Sequence, residues 1–164
     1  MSLHRIYISI GSNIDARHHV TCALDALAQA YGELTVSSVY ESEAVGFDGD
    51  NFLNLVVGAD TQDSIEQVVA QFKQIEADNG RVKQAEKFSP RTLDLDLLTY
   101  DDVVCDTPIE LPRDEIDKNA FVLWPLAEIA ATTVHPRNGV SYGDLWAAYN
   151  KPQKLWKIDF HWPS

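Results

Sequence analysis

From Arg5 to Ile10 apolar and polar residues alternate in steps of two, the period of a strand buried on one face, until the turn cluster Gly11-Ser12-Asn13. The period then lengthens. From about Asp15, Val20, Leu24, Leu27 and Tyr31 recur at helical spacing, and Gly32 is placed to end that helix. Leu34 to Tyr40 reads as a second strand and Phe52 to Ala59 as a third, separated by the polar loop Gly46-Phe47-Asp48-Gly49-Asp50-Asn51. Ser64 with Gln67 forms a capping box, and Ile65, Val68, Val69, Phe72 and Ile75 make the apolar stripe of a second helix closed by Gly80. Alternation returns from Thr92 to Leu97.

The order βαββαβ predicts an α+β protein with a ferredoxin-like core, an antiparallel sheet carrying both helices on one face. Pro108, Pro112, Pro125 and Pro136 break the last third into short pieces, with a short helix expected over Tyr142 to Tyr149. This third is expected to cover the open side of the same sheet as a further layer. The 164 residues are read as a single domain.

Composition adds exclusions. No apolar stretch is long enough to span a membrane, and Met1-Ser2-Leu3-His4-Arg5 lacks a signal-peptide core. Cys22 and Cys105 form no spaced pattern, so a reducing cytoplasm is expected. The adjacent His18 and His19 are expected at the surface, not as a zinc pair. A net charge of −12 argues against nucleic acid or an anionic membrane as partner. Yet Arg81, Lys83, Lys87 and Arg91 stand against Glu86 alone in one short segment, which on charge alone reads equally as a solvated loop or as a basic island suited to a compact polyanion.

That island runs into Pro90-Arg91-Thr92-Leu93-Asp94-Leu95-Asp96-Leu97-Leu98. Strand geometry puts Asp94 and Asp96 on one face and Leu93, Leu95 and Leu97 on the other. Two carboxylates so close repel unless a cation sits between them, and Mg²⁺, which takes oxygen ligands, is the natural choice. With Arg91 as a phosphate-binding fork nearby, the set reads as phosphoryl-group chemistry. No phosphate loop of the Gly-x-x-x-x-Gly-Lys-Ser/Thr type and no dinucleotide fingerprint is present, so any phosphate cradle is of another kind.

At these residues the chain resembles the 6-hydroxymethyl-7,8-dihydropterin pyrophosphokinase family. The likeness is carried by Gly80-Arg81-Val82 and Pro90 to Asp96, by Ile10-Gly11-Ser12-Asn13, by Val36-Ser37-Ser38 with Tyr40, by Phe52-Leu53-Asn54, and by Phe121-Val122-Leu123-Trp124-Pro125-Leu126. The resemblance implies transfer of the β,γ-pyrophosphoryl unit of ATP to the hydroxymethyl group of a reduced pterin, in folate biosynthesis. It implies two Mg²⁺ ions on Asp94 and Asp96, and Arg81 and Arg91 as catalytic phosphate-binding groups. ATP contacts are implied for Glu76, Lys83, Phe88, Arg91 and Arg113, and pterin contacts for Ser42, Val45, Phe52, Asn54 and Phe121. ATP and the pterin are the only partners implied, and loops 43–51 and 81–91 are expected to close over them.

The chain also departs from the family pattern. Arg113 stands where a histidine is usual, and Asn119 where an arginine is usual. Lys83 replaces an arginine and Phe88 a tryptophan; Ser89 replaces a smaller residue, and Glu43 follows Ser42 in place of Thr-Pro. These changes leave two other readings open: a pterin- or nucleotide-binding paralogue without turnover, and a pyrophosphokinase for a different pterin.

Overall fold

The structure is a computed structural model that describes residues 3–43, 51–80, 93–151 and 153–163. Its elements are β1 (His4–Ser12), α1 (Ala16–Tyr31), β2 (Thr35–Val36), β3 (Val39–Ser42), β4 (Phe52–Thr61), α2 (Ile65–Asp78), β5 (Asp94–Tyr100), α3 (Ala120–Ala130), α4 (Tyr142–Ala147) and β6 (Leu155–Ile158). The sheet runs β5-β1-β4-β3-β6, every pairing antiparallel, with β2 also on β4. Without β6, that is the ferredoxin-like order expected from the βαββαβ pattern.

Alternation along each strand builds two cores. Ile6, Ile8, Ile10, Leu53, Leu55, Val57, Leu95 and Leu97 pack on one face with Val20, Leu24 and Leu27 of α1 and Val68, Phe72 and Ile75 of α2. On the other face Tyr7, Val56 and Leu98 meet Val122, Leu123, Leu126 and Ala130 of α3 and Tyr142 of α4. The capping box forms as expected: Ser64 Oγ accepts from Gln67 N, and Gln67 Oε1 accepts from Ser64 N. Gly32 ends α1 at φ 85°, a conformation that suits glycine. Cys22 and Cys105 are free thiols, and among the described residues no helix is long and apolar enough to cross a membrane. His18 is exposed, whereas His19 is half-buried with Nδ1 2.8 Å from Asn79 Oδ1.

Pro125, expected to break the chain, lies inside α3, and three other expectations are corrected. The strand read over Leu34 to Tyr40 is two short strands. Ser37 Oγ accepts from Val56 N at 2.9 Å, so a side chain takes a place in the ladder that a main-chain carbonyl would fill. Gly11 and Ser12 belong to β1 and are not a turn, since they pair with β4 at Asn54 and Leu53. The last third is not wholly a separate layer: α3 and α4 cover the open face, but β6 joins the sheet beside β3.

Glu128 ties that layer to the sheet. One of its oxygens accepts from Tyr40 Oη at 2.8 Å and from Ser38 N at 3.0 Å; the other accepts from Ser38 Oγ at 2.7 Å. Burial raises the pKa of this carboxyl, but hydrogen bonds from Ser38 and Tyr40 outweigh it and hold the pKa low. The stabilisation is present above the ordinary carboxylate range and fades as the pH falls through the lowered pKa. Glu128→Ala leaves the buried Tyr40 hydroxyl without this acceptor and is expected to cost ~2 kcal/mol, a Tm loss of about 4–8 °C in a thermal melt.

Candidate active site

The sheet register assembles the site. Gly11 stands between Asp94 on β5 and Asn54 on β4, and Ser9 stands opposite Asp96. Asn54 in turn pairs with Tyr40, and Phe52 with Ser42. Direct partners share a face, so Asp94, Asp96, Asn54, Phe52 and Ser42 all lie on the side covered by α3. Leu95 and Leu97, between and after the carboxylates, are buried in the opposite core. The separation of acids from leucines is therefore as the alternation predicts.

Gly11 leaves room on the site face of β1. A Cβ there would come within 2.9 Å of Asn54 Oδ1, so the missing side chain lets the buried amide lie across the strand. Asn54 Nδ2 donates to Ser42 Oγ at 3.4 Å, joining two residues singled out for the pterin. Phe52 and Phe121 are both half-buried, and Phe121, in the first turn of α3, packs against the second core. A break in register between Tyr7 and Ile8 lets Leu97 and Leu98, adjacent in sequence, enter opposite cores.

Electrostatics single out Asp96. Burial pushes its carboxyl up to about 7, Asp94 pushes the same way, and Glu115 and Glu76 add to it, while Arg113 opposes. Arg113 is held by its own backbone, whose N–H donates to Leu98 O at 2.9 Å. Its guanidinium then lies 3.5 Å from Asp96 Oδ1 and donates from Nε to Glu115 Oε1 at 2.8 Å. Burial disfavours the Arg113 charge, but Asp96, Glu115 and Asp94 outweigh it and raise its pKa. Glu76, near the end of α2, is half-buried. Its Oε2 accepts from Leu95 N at 2.8 Å, which fastens the end of α2 to the strand between the two acids.

Thus Asp94, Asp96, Glu76, Arg113, Ser42, Phe52, Asn54 and Phe121 are among the described residues, all but Arg113 on strands or helices, and the contacts above link Asp96 with Arg113 and Asn54 with Ser42. Arg81, Lys83, Phe88, Arg91 and Val45 lie outside the described residues, as do most of the two loops expected to close. Glu43 is exposed, and Asn119 occupies the N-cap of α3. Glu115, Ser9 and the room that Gly11 leaves for Asn54 escape a reading of sequence, because each depends on what lies across the sheet. Among the described residues no group of three or more His, Cys, Asp or Glu side chains could hold a metal ion. A cleft of about 600 Å³ on the opposite side of the sheet, lined by Asp15, Arg17, Glu41, Asn51, Leu53 and Ile158, takes in none of the residues expected to bind metal, ATP or pterin.

Residues 7–131 match the family model of 7,8-dihydro-6-hydroxymethylpterin-pyrophosphokinase (HPPK). The 2-amino-4-hydroxy-6-hydroxymethyldihydropteridine pyrophosphokinase of Aquifex aeolicus is 33% identical over 155 residues, covering 93% of this chain and 89% of its own. The protein of that name from Pseudomonas aeruginosa is 34% identical over 133 residues, covering 78% and 82%. Wild-type Plasmodium falciparum HPPK-DHPS superposes with a TM-score of 0.71 over 89% of this chain at 11% identity, a likeness of fold alone. The chain spans 44% of that longer protein. Fold and relatives together define an α+β enzyme of the pyrophosphokinase class. The chain belongs to the 7,8-dihydro-6-hydroxymethylpterin-pyrophosphokinase family.

Proposed function

We propose that this protein transfers the β,γ-pyrophosphoryl unit of ATP to the hydroxymethyl group of 6-hydroxymethyl-7,8-dihydropterin, releasing AMP, as a step in folate biosynthesis. The observation that carries the proposal is Asp94 and Asp96 side by side on one face of β5, Asp96 with its acidity suppressed by burial and by its neighbour. Such a pair gains most from a bound divalent cation. Mg²⁺ fits the donor set, since it is commonly held by one or two carboxylates, with phosphate oxygens and water completing its shell. When bound, two such ions would neutralise phosphate charge as the displacement proceeds.

The chain's own residues divide the remaining work. Arg113, beside Asp96, supplies fixed positive charge for the triphosphate, and Arg81 and Arg91 supply more as charge develops. Lys83, Phe88 and Glu76 serve the nucleotide in this reading, with Glu76 also steadying the backbone of β5. Asn54 reads the hydrogen-bonding edge of the pterin, Ser42 and Val45 border it, and Phe52 and Phe121 offer flat apolar faces to its ring. No covalent enzyme intermediate is needed, because the hydroxyl attacks the β-phosphorus directly. The 164 residues act as one domain, in the reducing cytoplasm that their free thiols suit.

The nucleotide product tests this. With ATP, Mg²⁺ and the pterin, chromatography is expected to show AMP and no ADP, formed only when all three are present. Pterin binding without any AMP would overturn the proposal in favour of a non-catalytic paralogue, and ADP would indicate transfer of a single phosphoryl group.

A further inference from the structure

Phe121 is the second residue of α3, and that helix begins without a cap of its own. Asn119, at the N-cap, makes no side-chain capping hydrogen bond. The first N–H groups of a helix lack partners within it and need an acceptor. Here the acceptor comes from 33 residues away: Ala120 N donates to Gln153 Oε1 at 2.6 Å.

The segment that carries Gln153 is tied down on both sides. Before it, Tyr149 Oη donates to Lys118 O at 3.0 Å, against the entry to α3. Tyr149 also ends a run of stacked rings, Trp146 at 5.4 Å and then Trp124 at 5.2 Å, and Trp124 leans on Tyr40 at 4.7 Å. After it, Leu155 of β6 stands in register with Ser42 of β3. Lys157 of β6 lies over the Tyr40 and Trp124 rings at 5.9 and 5.7 Å. Gln153 is thus held between two anchored elements, its amide oxygen placed on the peptide that opens α3. All of these tail residues lie beyond the stretch 7–131 matched by the family model.

We infer that Gln153 is a positioning residue for the pterin site: its amide oxygen caps α3 in place of Asn119 and thereby sets the angle of Phe121. The inference rests on the reading of Phe121 as a wall of the pterin pocket. Without the cap the first turn of α3 frays and Phe121 loses its fixed direction. The rest of the helix stays packed in the second core through Val122, Leu123 and Leu126. The effect should therefore fall on pterin recognition, leaving Asp94, Asp96 and Arg113 undisturbed.

The test is steady-state AMP formation by wild type, Gln153→Ala, Gln153→Glu, Phe121→Ala and the double variant Phe121→Ala/Gln153→Ala, varying pterin and ATP separately. Gln153→Ala is expected to raise the pterin KM about five- to tenfold, with kcat and the ATP KM within about twofold of wild type. Gln153→Glu keeps an oxygen acceptor, with a charge that suits a helix N-terminus, and should restore the pterin KM. The double variant should be no worse than Phe121→Ala alone, since one residue acts through the other. An unchanged pterin KM in Gln153→Ala, equal losses for both substrates, failure of Gln153→Glu to rescue, or additive losses would each overturn the inference. If Phe121→Ala itself keeps the wild-type pterin KM, the assignment of Phe121 has failed, and the inference falls with it for that separate reason.

Discussion

Asp96→Asn is expected to reduce turnover at least about a thousandfold while stabilising the protein in magnesium-free buffer near neutral pH. The two effects have one cause. Asp96 is held in a place that disfavours its charge, by burial first and by Asp94 next, so that its carboxyl titrates at about 7. A raised carboxyl pKa contributes stability that is fully present below the unfolded value, near 4, and is lost as the pH climbs through 7. Asparagine carries no charge to lose. The variant should therefore be more stable than wild type above pH 7, by ~2 kcal/mol after allowance for relaxation, and show little advantage near pH 4. Arg113 keeps Glu115 as a partner in the variant. The activity loss follows because an amide is a poor ligand for a hard divalent cation, whose charge stabilisation supplies several kcal/mol of barrier. Thermal melts across the pH range, with and without Mg²⁺, check the first half, and initial rates check the second. A variant less stable than wild type at pH 8 would contradict the electrostatic account.

Arg113→Met is expected to lower kcat/KM for ATP about 30- to 100-fold and to move the acid limb of its pH profile upward. Arg113 pulls the Asp96 pKa down against burial and three neighbouring carboxylates. Without that cation the carboxylate is harder to form, so Asp96 stays protonated to higher pH and metal-dependent turnover begins later. Arg113→Lys should recover the charge and much of the profile, but less of the affinity, because an ammonium lacks the planar fork that suits phosphate. An Arg113→Met enzyme with unchanged ATP KM and a lower Mg²⁺ requirement would give this guanidinium another role, as an occupant of the carboxylate site that the metal displaces.

The residues that could be read from sequence are those whose meaning is periodic. Alternation alone divided Asp94 and Asp96 from Leu95 and Leu97, and the Ser64-Gln67 pair marked the start of α2. Elements defined by partners far along the chain were less visible. The four residues of β6 carry no strong period, and they form a strand because β3 offers them an edge. Ser37 breaks a strand that its neighbours favour, through a hydroxyl that bonds to Val56 across the sheet. Gly11 looks like a turn residue in sequence, yet it pairs with strands on both sides and leaves room for the Asn54 side chain.

The site shows the same division. The shared face of Asp94 and Asp96 was legible, because carboxylates at strand spacing fall on one side and repel. The placement of Arg113 was not, because a guanidinium beside Asp96 depends on how the chain returns after β5, with Arg113 N bonded to Leu98 O. Position alone made Asn119 a departure from the family pattern. In the fold it opens α3, and the positive charge beside Asp96 comes from Arg113.

The most direct test of the central claim is the molar ratio of AMP to pterin pyrophosphate formed by wild type and Asp96→Asn, side by side, from ATP, Mg²⁺ and 6-hydroxymethyl-7,8-dihydropterin. One AMP per pyrophosphorylated pterin is expected in wild type, and neither product above background in the variant. AMP without pterin pyrophosphate, or near-normal yields from the variant, would contradict it.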